Sequence, residues 1–484
     1  MIQLGLAYQL QQKLDDDFFA IIDTPNNPKK MFQNQKIVNF QKTWFFHDQI
    51  KKSNEKPDLQ YLADFENEYN IDLWKLAINE RHFYKFNRFY KFSTNEILKI
   101  LEQECKLFEH ILDEIKPDYL IINEPPFHYQ KLMLELCKSK GIKILCSSLS
   151  RIESSTIIVE NNATFDLPRN LDLIEFHESD KSKKESNENN SDFNKLQKKW
   201  ASDKKHSIFN KINALKDYIL FSDSNNIQTN FTYYGRNKLK VIFDTLGFYI
   251  RRQRGYRYLQ NNSKKEIDLN VPFVYFPLGI DDDITLLHEA PFFTNQIEVL
   301  RHVAKSIPID HRIFVKDHIH AGFRGWRKIK EYEEIKEIPN VTLIHPSYPS
   351  KELIKNCNLV ITVRGSSSVE AAYENKPSII FDSMPHDMLP SVYKVGSVKE
   401  LPEMIRTALN SPIDPSHIQK YDKLVRERKV DFDGLKMEIL RNNQFYSGNI
   451  LSDVEFPENK VKEFFENNKD MFQILSKAHL EKIN

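Results

Sequence analysis

Between residues 271 and 381 the chain repeats one pattern: a short, continuous apolar run, a polar loop, then a stretch of helical period. The apolar runs are 271–278 (VPFVYFPL), 312–316, 341–344, 359–363 and 378–381, and helices are expected over 293–306, 350–356 and 368–375. A strand that is apolar on both faces must be covered on both faces, and helices supply that cover. The block therefore predicts a parallel sheet in a Rossmann-like α/β domain over 271–400. Sheets of this kind bind ligands at the carboxyl ends of their strands, so the loops that follow the apolar runs are where chemistry is to be sought.

A similar alternation occupies the first third of the chain. Strands are expected over 42–46 and 118–123 (DYLIIN), a helix over 95–115, and a helix over 128–140 that stops at Gly141 ahead of a strand at 142–146. This predicts an N-terminal Rossmann-like domain over 1–160. It opens unusually, because Ile2, Leu6, Leu10 and Leu14 lie at helical spacing and the first strand run comes only at 18–22, before a turn cluster at 23–28. A βα unit starts with a strand, so the first strand of this sheet is expected to be missing, through a truncated gene reading or a shifted start, with Ile2, Leu6 and Leu10 packed on what remains.

The region 161–270 reads as helices and linker, with helices over 193–217 and 234–252. Residues 178–192 contain no apolar side chain and are expected to form a disordered, exposed loop. The final segment, 401–484, reads as helices that pack back across the domain boundary. The second of the linker helices is expected to end in Arg251-Arg252-Gln253-Arg254-Gly255-Tyr256-Arg257-Tyr258. This basic run reads first as a solvated helix end and second as a contact for an anionic lipid surface or a polyanionic glycan.

Composition removes several function classes. The 484 residues carry 69 basic and 68 acidic side chains, a net charge of +1, so no global field favours nucleic acid. No apolar run approaches the ~20 residues that span a bilayer. The four cysteines form no C-x-x-C pair, which argues against a zinc knuckle or a disulfide framework. The first residues show no export leader, and a cytoplasmic chain is expected.

Three loops of the second block and one of the first carry candidate chemistry. The run 359–372 passes from an apolar strand through Arg364, Gly365, Ser366, Ser367 and Ser368 directly into a helix. Free N–H groups, serine hydroxyls and a guanidinium together suit a phosphate, the bland alternative being a serine N-cap without ligand. Glu370 would accept from ribose hydroxyls or simply favour the helix dipole. Lys316 and His318 leave the end of another strand, charge and proton donor side by side. Asp281, Asp282 and Asp283 read as turn formers in preference to a metal site. In the first domain Glu124 follows a strand and would act as a base in an interdomain cleft, with His128 beside it facing the loops at 316–318 and 364–368, or it is an ordinary loop acid.

On these residues the chain resembles a known family. YFPL, Pro291-Phe292-Phe293 and Gln296 ahead of a helix, VKDH, IPNVTLIHP, the strand-glycine-serine-helix segment ending VEAA, and Lys376-Pro377 before SIIF look like the capsule polysaccharide biosynthesis proteins, relatives of the β-Kdo transferases. The likeness is dense over 272–385 and thinner over 118–146. It implies a GT-B fold, two Rossmann-like domains facing across a cleft, with the acceptor on the first and a nucleotide sugar on the second. The family's Lys-x-His-Pro loop resembles a phosphate motif of bacterial sialyltransferases that use CMP donors. Here Ile319 stands in place of that proline, and Gly279 in place of a histidine.

The resemblance implies a metal-independent glycosyltransferase without a bound cofactor, moving a sugar from a nucleotide donor, CMP-linked among the candidates, to a glycan or lipid-linked acceptor. Glu124 and His318 would be catalytic, and Lys316, Arg364, Gly365, Ser366, Ser367, Ser368 and Glu370 would hold the nucleotide phosphate. A sugar-nucleotide 2-epimerase and a non-catalytic assembly or export protein are the rival readings.

Overall fold

The computed structural model describes residues 1–168, 170–171, 215–216, 218–220, 222–446 and 453–483. The chain forms two α/β units that meet across a cleft. In the first, β1 (Phe19–Ile22) pairs in parallel with β2 (Lys42–Phe45), while β3 (Tyr119–Asn123), β4 (Lys143–Leu149) and β5 (Thr156–Val159) form a separate three-stranded sheet. β3 and β4 are parallel, with Asn123 opposite Ser147, and β5 runs back antiparallel along β4. Helix Thr94–Ile115 opens on a full capping box in which Ser93 and Glu96 satisfy each other's N–H groups. It packs on helix His128–Ser139, as the apolar spacing of both predicts.

The second unit is a six-stranded parallel sheet made of β6 (Phe273–Pro277), β7 (Arg312–Lys316), β8 (Val341–Ile344), β9 (Leu359–Thr362), β10 (Ser378–Ile380) and β11 (Val392–Lys394). Its order is β11-β10-β9-β6-β7-β8. Numbered within the unit this is the doubly wound 3-2-1-4-5-6 arrangement, whose direction reverses between β6 and β9. The strand interiors Val274, Phe276, Ile313, Val315 and Ile361 are fully buried between two helical layers, which is why these strands read as unbroken apolar runs. Together the two units give an α/β architecture with parallel strands on both sides of the cleft.

The C-terminal helices return to the first unit. Helix Ile2–Gln11 lies on helix Lys469–Ile483, and Leu6 and Leu10 share a core with Leu145 of β4, Ile158 of β5 and Phe472. Gly5 permits the close approach, since a Cβ there would sit 2.4 Å from the Phe472 ring.

Several boundaries differ from expectation. The turn cluster at 23–28 opens helix Asn26–Asn34, because Pro25 sits at its N-cap and Pro28 in its first turn, where a proline N–H is not needed. The helix expected at 293–306 starts at Gln296 behind a 3-10 turn at Pro291–Phe293. The helix expected at 234–252 is Lys238–Asn262, capped by Asn237, so the arginine run lies inside a helix and not at its end. The expected loop 178–192, and most of the expected helix 193–217, fall outside the described residues.

Candidate functional site

The loops after β6 and β7 are fastened to each other by one buried side chain. Arg327 reaches the Asp281 carboxylate, donates to the Gly279 carbonyl at 2.5 Å and lies 3.5 Å from Asp317. Asp317 is wholly buried and also accepts from the His318 N–H at 2.8 Å and from the Tyr332 hydroxyl. Gln296 completes the tie with bonds to both backbone groups of Gly279 and to Asp281. The three acids 281–283 are thereby accounted for by protein partners: Asp281 by Arg327, Asp282 by Arg324 at 2.9 Å, and Asp283 as the cap of helix Ile284–Leu287. Among the described residues no group of three or more His, Cys, Asp or Glu is placed to hold a metal ion.

This bracing fixes Lys316 and His318. Lys316 ends β7, is 6% exposed and donates to the Pro346 carbonyl at 3.4 Å. Burial draws its pKa down to about 8 against the pull of Asp317 and Glu370. His318 keeps solvent contact, yet the protein around its ring, then His320 and Lys316, bring it down to about 4. Its Nδ1 accepts the His320 N–H at 3.2 Å, so the neutral ring carries its proton on Nε2. At neutral pH His318 is a hydrogen-bond donor and not a cation.

After β9 the chain turns at Gly365 into helix Ser367–Tyr373. A Cβ at Gly365 would lie 2.6 Å from the Thr362 hydroxyl, which explains the glycine. The three serines have separate fates. Ser366 donates to Glu370 at 2.9 Å, and the Ser367 hydroxyl makes no bond among the described residues. Ser368 is fully buried, bonded to the Gly365 carbonyl at 2.7 Å and to His386 at 2.6 Å. The expectation that Ser368 helps hold a phosphate is corrected on this point, because its hydroxyl is turned inward and spent. Burial raises Glu370 despite Ser366, and Lys316 lies close enough for each to shift the other. Lys316, Ser366 and Glu370 are thus brought together beside the sheet's switch point.

Arg364 faces the cleft. It donates to the Ser383 carbonyl at 2.9 Å and stands 3.6 Å from Glu289. With Glu124, Pro125, Arg151, Asn162 and Phe165 of the first unit, and Thr285, Glu289 and Met384 of the second, it lines a chamber of about 30 Å³. Glu124 therefore lines the cleft that faces the second unit, and within its own unit it accepts from the Ser148 hydroxyl of β4. Lys316 and His318 are not among the walls of this chamber.

His128 does not face the cleft, contrary to expectation. It is fully buried, its Nδ1 2.8 Å from Glu80 and its Nε2 2.9 Å from Glu104. Burial alone would lower its pKa, but the two carboxylates outweigh that and raise it to about 10. The histidine that opens this helix serves as a core cation.

His345, which the sequence reading passed over, directly follows β8 and its apolar run, a position at a strand end like the one that singled out Lys316. It is 5% exposed, accepts the Ser347 N–H at 3.2 Å and leaves Nε2 without a partner. With Ser347, Tyr249, Arg252, Tyr256 and Trp326 it lines a second cavity of about 470 Å³ between helix Lys238–Asn262 and the loops after β7 and β8.

Residues 183–388 match the family described as capsule polysaccharide biosynthesis protein. Over that stretch, less than half of its 484 residues, the chain is similar to that family. The matched stretch carries every candidate residue of the second unit, from Lys316 to Glu370. Among solved structures, the chain is similar to the KpsC β-Kdo 2,7 transferase of Thermosulfurimonas dismutans, with 10% identity over 84% of this chain and 89% of that one at a TM-score of 0.32. It is also similar to UDP-GlcNAc 2-epimerases: that of Methanocaldococcus jannaschii, with 13% identity over 84% of this chain and 99% of that one at 0.24, and that of Neisseria meningitidis, with 13% identity over 85% and 99% at 0.26. No curated protein matches the sequence.

Proposed function

We propose that this chain is a glycosyltransferase of capsule polysaccharide synthesis that moves a sugar from a nucleotide donor to a glycan or lipid-linked acceptor. The observation that carries the reading is the grouping of Lys316, Ser366, Ser367 and Glu370 beside the switch point of a doubly wound sheet, with Glu124 of the other unit turned toward the same cleft. In the proposed step an acceptor hydroxyl oxygen bonds to the anomeric carbon and gives its proton to Glu124. The bond from that carbon to the donor's phosphate oxygen breaks, and its electron pair leaves with the phosphate. Lys316, the Ser367 hydroxyl and the Nε2–H of His318 stabilise the charge that develops there, so the step calls for no metal ion. Arg364 holds Glu289 and the cleft wall. A neutral His318 suits hydrogen bonding to the leaving phosphate better than protonation of it.

Helix Lys238–Asn262 supports a peripheral contact with the inner face of a membrane, and so a cytoplasmic site of action. Leu239, Phe243, Leu246 and Ile250 form one exposed apolar stripe, and Arg254 and Arg257 continue it. The helix carries Lys238, Lys240 and four arginines against the single acid Asp244, which suits an anionic lipid surface. Among the described residues no helix is long and apolar enough to cross a membrane.

The donor reading is tested by thermal shift with CMP, UDP, GDP and CDP. One of them, at ~100 times its dissociation constant, is expected to stabilise the protein by about 2.7 kcal/mol. No shift with any of the four would remove the reading.

A further inference from the structure

The loop between β4 and β5 is built to present one side chain. Arg151, Glu153 and Ser154 all have left-handed backbones, with φ of 64°, 52° and 54°. Such angles cost free energy in any residue with a Cβ, and persist only where the surroundings enforce them. The enforcement is visible. Ser150 and Ser155 bond to each other at 2.6 Å, Ser155 donates to the Ile152 carbonyl, and Glu153 is gripped by Arg426 and Lys429. The loop is therefore pinned on both sides of its apex.

At that apex Arg151 is exposed, lines the 30 Å³ chamber, and meets no hydrogen-bond or ion-pair partner among the described residues. The other charges of the chamber are spoken for. Glu289 holds Lys131 and Arg364, and Glu124 holds Ser148. Asn162, on another wall, leaves its buried Oδ1 unpartnered, so the chamber has both a donor fork and an acceptor to spare. Arg364, on the facing wall, leads directly into Gly365 and Ser366. The charge of Arg151 is felt there, pushing Arg364 down and opposing the rise of Glu370.

We propose that Arg151 reaches across the cleft to the departing phosphate of the nucleotide donor, so that the first unit supplies a charge to a site otherwise built by the second. This rests on the donor reading above. It makes Arg151 a residue that binds only when the two units are together, in a way that Lys316 and Ser367 are not.

The test is calorimetric titration of the full chain and of its Arg151→Ala, Arg151→Lys and Ser367→Ala variants with CMP, UDP, GDP and CDP, and with cytidine, uridine and guanosine. For the nucleotide that the unaltered protein binds, Arg151→Ala is expected to weaken affinity by about tenfold to 150-fold, as loss of a charge-assisted bond does. Nucleoside binding should stay the same, and Arg151→Lys should keep part of the affinity. Arg151→Gly, which relieves the left-handed backbone, should show the same loss with no fall in melting temperature, so that misfolding is not the cause. If Ser367→Ala weakens the nucleotide but Arg151→Ala leaves it unchanged, the donor site stands and the Arg151 proposal is overturned. Equal weakening of nucleoside and nucleotide would also overturn it, by placing the arginine on the base or the sugar. Failure of the unaltered protein to bind any nucleotide would overturn both readings together.

Discussion

Lys131 of the first unit and Glu289 of the second meet at 3.2 Å, and the other oxygen of Glu289 lies 3.6 Å from Arg364. One carboxylate thus joins the two halves of the molecule and orients an arginine of the cleft. Burial pushes Glu289 up, but Lys131 and Arg364 outweigh it and hold it below its ordinary value. Lys131→Ala and Glu289→Gln should each destabilise the fold by about 1 to 3 kcal/mol. A double-mutant cycle followed by chemical denaturation should return a coupling of at least about 0.5 kcal/mol, and additivity would show the bridge to be idle.

His128 sets a pH dependence. Folding favours its protonated form, so the stability it lends is complete below the ordinary histidine value near 6.5 and is lost as pH climbs through about 10. Glu80 acts in the opposite direction. Its value is brought to about 2 by His128 against the push of burial, so its contribution is present above the ordinary glutamate range and is lost as pH falls toward 2. His128→Gln should lower stability at pH 7 by about 3 to 5 kcal/mol, since it leaves two carboxylates buried without their cation. Melting temperature followed from pH 6 to 10 should decline in the unaltered protein and flatten in the variant.

Ser367 and Ser368 are neighbours with opposite expected phenotypes. Ser368→Ala removes a buried bond to His386 and to the Gly365 carbonyl, and should cost about 1 to 3 kcal/mol of stability. Ser367→Ala should leave the melting temperature in place and weaken nucleotide binding by about tenfold or more. Melting curves and titrations on both variants separate the two roles. The lysine adds a pH signature: with Lys316 at about 8, nucleotide affinity should fall as pH rises through 8, and Lys316→Met should remove that dependence.

The exposed stripe of helix Lys238–Asn262 is expected to bind vesicles containing phosphatidylglycerol and not purely zwitterionic ones. Phe243→Asp with Leu246→Asp should abolish co-sedimentation while leaving nucleotide binding unchanged. Co-sedimentation that survives both substitutions would show that the stripe is not the contact.

The second sheet was legible because its strands are buried on both faces and so spell unbroken apolar runs, and because a glycine and serines at a strand end mark a turn into a helix. Partners distant in the chain were not legible. Asp281 and Asp317 are tied by Arg327, and nothing local to the acids announces it. His128 sits between Glu80 and Glu104, 48 and 24 residues away, so its core role could not be read from the loop that precedes it. Ser368 looked like Ser366 and Ser367 because the rotation of a helix's first turn decides which hydroxyl is buried. Arg151 carried no signal, since the left-handed loop that presents it has no periodicity.

The most direct test is to incubate the full chain with CMP- and UDP-activated sugars, with and without a short capsular glycan or lipid-linked acceptor, and to follow both free nucleotide and glycan mass. Nucleotide release that depends on acceptor, matched by a one-sugar gain in acceptor mass and lost in Ser367→Ala and Glu124→Gln, is the predicted result. Conversion of the donor sugar to its 2-epimer without any gain in acceptor mass would contradict the glycosyltransferase reading.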